Sequence, residues 1–443
     1  MNYLIRNANI VNEGKIVPGD ILIQDGIIAK IGSNLSADGA LVIDADGKYL
    51  LPGCIDDQVH FREPGLTHKA EIATESRAAV AGGVTSFMEQ PNTSPPATTV
   101  ELLEWKYARA SEVSPANYSF FMGTTNNNLD EILKLDPRKV CGVKIFLGSS
   151  TGDMLVDREE QLDKIFASVK MLIAVHAEDD VMIKSNVAAY KEKFGDNVPV
   201  ESHPLIRSRE ACYASSSKAI ARAKKFGTRL HVFHVSTAEE LELFDNSIPL
   251  REKKITAEAC VHHLWFSSED YKTRGNYIKW NPAVKESRDR DAIWKAVLDN
   301  RIDVIATDHA PHTIQEKEKS YLEAPSGGPL VQHSLVAMLE KAREGKITIE
   351  RVVEKMAHAP AELFRIEKRG FIREGYYADL VLVDLNSPWT VTKDNILSKC
   401  VWSPFEGITF SAKVLKTFVN GNVAYDNGRI CDFTPGMRMT FTV

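Results

Sequence analysis

Seven short stretches of this 443-residue chain carry side chains able to hold a metal ion or grip a small polar molecule. They are Gln58, His60 and Arg62; Glu89 to Asn92; Lys144; His176 to Asp179; His231 and His234; His262-His263 followed by Asn281; and Asp308 to His312. A lone histidine at the end of an apolar run is usually a packing residue. The same event at several successive runs is not explained that way. Imidazoles gathered with a carboxylate are a donor set suited to zinc, and manganese or iron accept the same ligands. Such a cation brings the pKa of a water toward neutrality and polarises a carbonyl oxygen; two ions about 3.5–4 Å apart divide these tasks. A pair of ions needs a bridging anion, and the third stretch offers only Lys144. That lysine lies inside the apolar run Cys141 to Leu147, where burial depresses the pKa of an amine. A neutral amine there can take up carbon dioxide as a carbamate, which turns a cation into a bridging carboxylate. The alternative is a lysine that reaches for a phosphate or an acidic partner.

These residues need a frame that brings them together. The stretch Cys54 to Gly65 starts apolar and stops at Pro64-Gly65. Read as a strand, it puts Gln58, His60 and Arg62 on one face. Further short apolar runs follow at Thr85–Met88, Tyr118–Met122, Gly142–Phe146, Met171–Val175, Arg229–Phe233, Lys254–Ala257 and Asp303–Ala306. Helix-like stretches separate several of them, including 71–81, 158–168, 208–226 and 288–298. Eight strands alternating with helices predict a parallel (β/α)8 barrel, whose chemistry gathers where the strands end. A doubly wound open sheet is the rival fold, but no glycine-rich dinucleotide loop follows an early strand. The irregular piece 313–329 is expected to lie over the mouth of the site.

Both chain ends have a different texture. Tyr3–Val11, Asp20–Ile23, Gly26–Ile31 and Ala40–Ile43 at one end, and Asp379–Asp384, Ser411–Val419 and Val423–Tyr425 at the other, are short runs rich in branched residues. Asp25-Gly26 and Asn420-Gly421 are tight-turn signals between them. We expect residues 1–52 and 376–443 to form one small β-sandwich domain, and residues 53–375 to form the barrel.

A net charge of −6 gives no basic footprint for nucleic acid. The six cysteines are scattered without a CxxC pair, which suits a reducing compartment. No apolar run approaches the roughly 18 residues of a membrane span, and Met1 to Asn7 has no signal-peptide core. A cytoplasmic protein is expected, and homodimers are the default for such barrels.

In order along the chain, Asp56 to Gly65 (DDQVHFREPG), Gln90 to Thr93, Val143 to Phe146, Val175 to Glu178, Phe233 to Ser236, Asn281-Pro282 and Ala306 to His312 resemble the motifs of the dihydroorotases, cyclic amidohydrolases of the amidohydrolase superfamily. The resemblance implies a barrel with a composite terminal domain and zinc-dependent, reversible hydrolysis of a cyclic amide in pyrimidine biosynthesis. The expected substrate pair is dihydroorotate and N-carbamoyl-aspartate. It also implies that His60 and Asp308 hold one metal, that His176 and His234 hold the other, and that carbamylated Lys144 bridges them. Asp308 is implied as the catalytic acid and base. Arg62, Asn92, Asn281 and His312 resemble the residues that grip substrate, and Pro325-Ser326-Gly327 resembles a loop that adds a backbone contact. Arginine suits the ring carboxylate because its planar fork binds it bidentately.

One position departs from the family pattern. The first strand usually offers His-x-His, whereas this chain has Gln58 as the first member, a neutral and weaker ligand. Its consequences range from a working two-metal site to a one-metal enzyme or a silent homologue kept as a scaffold. Hydantoinases and allantoinases share the metal set and form a further alternative. Of the remaining histidines, His309 and His262-His263 are expected to orient ligands, and His231 to support His234. His68, His203, His333 and His358 are expected to pack or face solvent, and the charged run 315–319 to be solvated.

Overall fold

The computed structural model describes residues 1–148 and 154–443. Eight parallel strands line the middle of the chain: Cys54–Val59, Val84–Glu89, Asn117–Phe120 continued by Met122–Gly123, Val143–Phe146, Ile173–His176, Leu230–Val232, Ile255–Cys260 and Val304–Ala306. Each pairs in parallel with the next. A bridge between Val59 and His309 closes the ring, with the His60 amide donating to the His309 carbonyl at 2.7 Å. Strands sealed on both faces by barrel interior and helices need apolar residues throughout, which is why they appear in the sequence as unbroken runs. The first strand is the exception, since Asp56, Asp57 and Gln58 are buried in it. Asp56 is accounted for: it accepts the Thr307 hydroxyl at 2.6 Å and the Gln58 amide at 3.2 Å.

Helices follow most strands at the expected places, among them Ile72–Ala81, Glu159–Ser168, Arg209–Phe226 and Ser287–Leu298. Their ends carry the expected chemistry. Ser208 caps one N-terminus by accepting from the Ala211 amide, and Gly227 ends that helix with a φ of 70°, a conformation glycine adopts freely. Among the described residues no helix is long and apolar enough to cross a membrane. No disulfide joins the six cysteines.

The two chain ends build one nine-stranded sheet. Its joint is Tyr49–Pro52, which runs parallel to Tyr3–Asn12 on one side and antiparallel to Leu380–Asp384 on the other. Tyr3–Asn12 also pairs with Leu41–Asp44, so the sheet forks there. Ile5, Ile21, Ile23, Ile28, Leu50, Leu380, Leu382 and Phe418 form its core. The two tight turns predicted from sequence pack against each other. Gly26 and Gly421 have φ of 82° and 74°, and a Cβ on Gly421 would meet the Gly26 Cα at 2.6 Å. Ala378 joins them, donating its amide to Gly26 and accepting from Gly421.

Candidate active site

At the C-terminal end of the barrel strands lies a cavity of about 490 Å³. It is lined by Gln58, His60, Arg62, Asn92, Lys144, His176, His234, Asn281, Asp308, His312 and Ser326. These are the residues the sequence singles out, with the exception of Gly327. That glycine is committed elsewhere: its amide donates to Lys279 and its carbonyl accepts from Lys317. The first strand ends at Val59, earlier than predicted, so His60 and Arg62 reach the cavity from the segment beyond it.

Three site residues occupy left-handed backbone conformations: Arg62 (φ 71°), His234 (φ 39°) and Asp308 (φ 47°). Such conformations cost non-glycine residues roughly 1–3 kcal/mol each and persist where surroundings enforce them. Each is held by a buried partner. Arg62 Nε donates to the Pro311 carbonyl at 3.1 Å, the His234 amide to Glu258 Oε1 at 3.0 Å, and the Trp280 indole to the Asp308 carbonyl at 3.1 Å.

Donor atoms converge at the floor. His60 Nε2 lies 3.1 Å from Asp308 Oδ1, and His60 Nδ1 lies 2.8 Å from the Asn92 carbonyl oxygen. Asn92 can only accept there, so Nδ1 carries the proton and Nε2 offers a lone pair to the floor. His176 Nδ1 and His234 Nε2 stand 3.0 Å apart, the spacing of two ligands on one ion. His176 is aimed by Glu178, whose Oε2 lies 2.9 Å from Nε2 and which also pairs with Arg207. Burial alone would raise the Glu178 carboxyl, but Arg207 and His176 outweigh it and bring it down to about 2. Burial holds all three imidazoles below their usual range, helped at His60 by Arg62 and Lys144 and at His234 by His176 and Lys144. Neutral imidazole is the form that ligates metals.

Lys144 and Asp308 are shifted toward each other's range. Burial lowers the Lys144 amine to about 7, and its Nζ sits 4.1 Å and 4.8 Å from the ring centres of Phe233 and Phe146. Burial raises Asp308 to about 7 against the pull of Lys144. A fitting donor set for a divalent cation is therefore present: neutral imidazoles, a carboxylate, and an amine able to exist unprotonated.

The opposite wall is cationic. Arg62, lowered by burial to about 10, stands beside His312 and Lys69. Lys69 Nζ lies 3.0 Å from His312 Nδ1, and His312 Nε2 lies 3.0 Å from both Arg62 Nη2 and the Ser326 carbonyl oxygen. Asn281 presents a buried carbonyl oxygen with no partner, an open acceptor on the cavity wall. Lys69 was not marked by sequence as part of the site, and only its nearness to Arg62 along the chain hinted at it; Glu178 lies within the stretch His176 to Asp179 that the sequence singles out.

Several other expectations change. His309 does not orient a ligand: it donates to Glu75 through Nε2 at 2.8 Å and accepts the Leu330 amide on Nδ1, anchoring the segment after the mouth loop. His262 stacks on Trp280 at 4.4 Å between ring centres, so its link to Asp308 passes through the indole. His231 turns away from His234 toward Asp57 and Glu258. The run 315–319 is not wholly solvated, because Lys317 is buried and donates to the carbonyls of Pro325 and Gly327. The mouth loop is thereby stitched closed from inside.

Comparison with known proteins agrees with this geometry. Residues 49–424 match the model of the Amidohydrolase family, and the chain belongs to that family. Among its relatives are dihydroorotases. The dihydroorotase of Halobacterium salinarum is 35% identical over 437 residues, covering 97% of this chain and 98% of that protein. The dihydroorotase of Carboxydothermus hydrogenoformans is 34% identical over 433 residues, covering 96% and 98%. Among solved structures, the L-hydantoinase (dihydropyrimidinase) of Arthrobacter aurescens superposes with a TM-score of 0.94 at 27% identity, covering 99% of both chains.

Proposed function

We propose that this protein is a dihydroorotase, which interconverts dihydroorotate and N-carbamoyl-aspartate by reversible hydrolysis of the ring amide. The observation that carries this reading is the pairing across one cavity of a cationic wall, Arg62 with Lys69 and His312, and a floor of neutral imidazoles with Asp308. A ring carboxylate has its counter-charge on that wall, with the Arg62 fork forming two parallel bonds to it. The Asn92 amide nitrogen is left to donate to the same end of the substrate, since its oxygen is taken by His60. The open Asn281 oxygen accepts a ring N–H. Asp308, buried and near neutrality in pKa, takes a proton from the attacking water and returns it to the departing amide nitrogen. In the direction of ring closure the same carboxyl works in reverse.

His60 and Asp308 would hold one zinc ion, His176 and His234 a second, and Lys144, as a carbamate, would stand between them. When bound, the cations polarise the ring carbonyl and acidify the water. Gln58 would add at most a neutral carbonyl to the first ion, which makes that ion the more readily lost of the two. We also propose a homodimer, and a division into residues 53–375 and a terminal unit of residues 1–52 and 376–443.

The likeness to an L-hydantoinase supports a second reading, a cyclic amidohydrolase for hydantoin-like rings. Such rings carry no carboxylate, and the buried arginine would then face no counter-charge. Assay of the purified protein decides between them. Carbamoyl-aspartate should be cyclised faster than hydantoin or allantoin is opened, and the reverse ranking rejects our reading. A silent scaffold protein would show no metal-dependent turnover for Arg62→Ala or Asp308→Ala to remove.

A further inference from the structure

The barrel interior holds a second convergence of ligand atoms, made by Asp57 of the first strand, His231 of the sixth and Glu258 of the seventh. All three side chains are completely buried. His231 Nε2 lies 3.2 Å from Asp57 Oδ2 and 3.9 Å from Glu258 Oε2, and one atom from each residue falls within 4.8 Å of the others. Both oxygens of Asp57, Glu258 Oε2 and His231 Nε2 have no hydrogen-bond partner. Buried polar atoms are almost always bonded, so four bare ones at a single point call for a missing partner.

The remaining atoms of the cluster define what that partner must be. Glu258 Oε1 is occupied by the His234 amide at 3.0 Å and the Cys260 thiol at 3.1 Å. His231 Nδ1 lies 2.8 Å from the Thr256 hydroxyl oxygen, and that hydroxyl donates its only proton to the Leu230 carbonyl at 3.2 Å. Thr256 must therefore accept from His231, and Nδ1 carries the ring proton. In the neutral ring Nε2 is then a lone pair aimed at two carboxylates. Three electron-rich groups in a dry interior are untenable without positive charge between them.

A proton on Nε2 would supply one charge and one directed bond. Although burial disfavours it, Asp57 and Glu258 lift the imidazole to about 9, so the proton is the competitor for this place. It leaves Asp57 Oδ1 and one carboxylate oxygen of the pair still bare. A divalent cation cancels both carboxylate charges and takes a ligand from each of the three residues. We infer that Asp57, His231 and Glu258 bind a divalent transition-metal ion of the zinc and manganese class, one imidazole and two carboxylates being a donor set that such ions accept. This ion is distinct from any held by His60, Lys144, His176, His234 and Asp308, since it shares no ligand with them. Its role is positional. Glu258 holds the His234 amide, and pinning its other oxygen stiffens the left-handed turn from which His234 reaches the cavity floor.

Crystals of the full chain, grown with zinc or with manganese, test this by anomalous diffraction at the metal edge. A peak is expected about 2.0–2.2 Å from His231 Nε2 and from one oxygen each of Asp57 and Glu258, separate from any peak at the floor. Metal content per chain should fall by one equivalent in Asp57→Asn and in His231→Gln, with folding checked by circular dichroism. Absence of a peak at the three residues, whether or not the cavity floor is occupied, would overturn the inference and assign the place to a proton. Because the readout is metal position and not turnover, it stands apart from the assay that tests the proposed reaction.

Discussion

All twelve histidines lie between residues 60 and 358, and the sheet assembled from the two chain ends contains none. The two regions solve opposite problems. In the terminal sheet the core positions are Ile, Leu, Ala, Phe and Tyr, and its buried acids are paired: Asp20 accepts the amides of Asn7 and Leu35, and Asp379 accepts that of Asn420 and pairs with Arg369. In the barrel end, Lys144, Asp308, Asp57 and Glu258 are buried away from water, and Arg62, His234 and Asp308 hold backbone conformations that other residues avoid. Burial is the source of stability in one region and of altered acidity in the other. A protein tolerates the second because the first and the apolar barrel walls offset it.

The contrast can be attacked from both sides. The largest effect is expected from Asp308→Asn, which keeps the shape and removes the proton carrier. Turnover should fall by about 10³-fold, within the range for a lost general acid or base, while thermal unfolding hardly moves. An activity close to wild type would remove Asp308 from its role. The counterpart in the sheet is Gly421→Val, which forces a side chain into the Gly26 backbone at a φ of 74°. Strain and clash together should cost about 3 kcal/mol of stability, read from denaturant midpoints. The folded fraction should keep its full turnover, and loss of both together would mean that the two regions are coupled.

Arg62→Lys is smaller. A point charge replaces a planar fork, and kcat/KM for dihydroorotate should drop about 30-fold, equivalent to roughly 2 kcal/mol for a charge-assisted bond. Hydantoin opening, if any, should be left alone. A further effect depends on pH. Burial, helped by His309 at His333 and by Lys285 at His263, holds both imidazoles at about 3 in the folded protein. The unfolded chain binds those protons near 6.5. Stability is thus complete above that pH and is lost as pH falls toward 3, by up to about 1.4 kcal/mol per unit for each ring. Denaturant midpoints between pH 7 and pH 4 should fall less steeply in His333→Gln than in the parent; an unchanged slope would show that His333 is not protonated on unfolding.

Much of the barrel was legible in the sequence because parallel strands must be apolar on both faces, and each strand end then stood out as the first polar residue after such a run. His176, His234 and Asp308 stood out at or just past such run ends, His60 just beyond the first strand and Lys144 inside its run, and all five meet in one cavity. What escaped depends on geometry that residue types do not encode. Arg62 was placed on a strand by alternation, whereas the strand stops at Val59 and a left-handed turn delivers the guanidinium. Asp57 sat between Asp56 and Gln58, and Glu258 just past a short apolar run, with nothing to say that they face each other across the barrel. Lys317 resembled a solvated charge because its partners are backbone carbonyls, which every sequence has. Gly327 was expected to offer its backbone to a ligand, and both its polar groups are engaged within the protein.

The joint at Tyr49–Pro52 bears on how the molecule is made. Its partner on one side, Tyr3–Asn12, precedes it, but its partner on the other, Leu380–Asp384, is more than three hundred positions downstream. During synthesis that edge waits with open hydrogen-bonding groups while the whole barrel is translated. The nascent chain thus completes its catalytic half before its first half-sheet can be sealed, and a chaperone has something to cover until the last strands arrive.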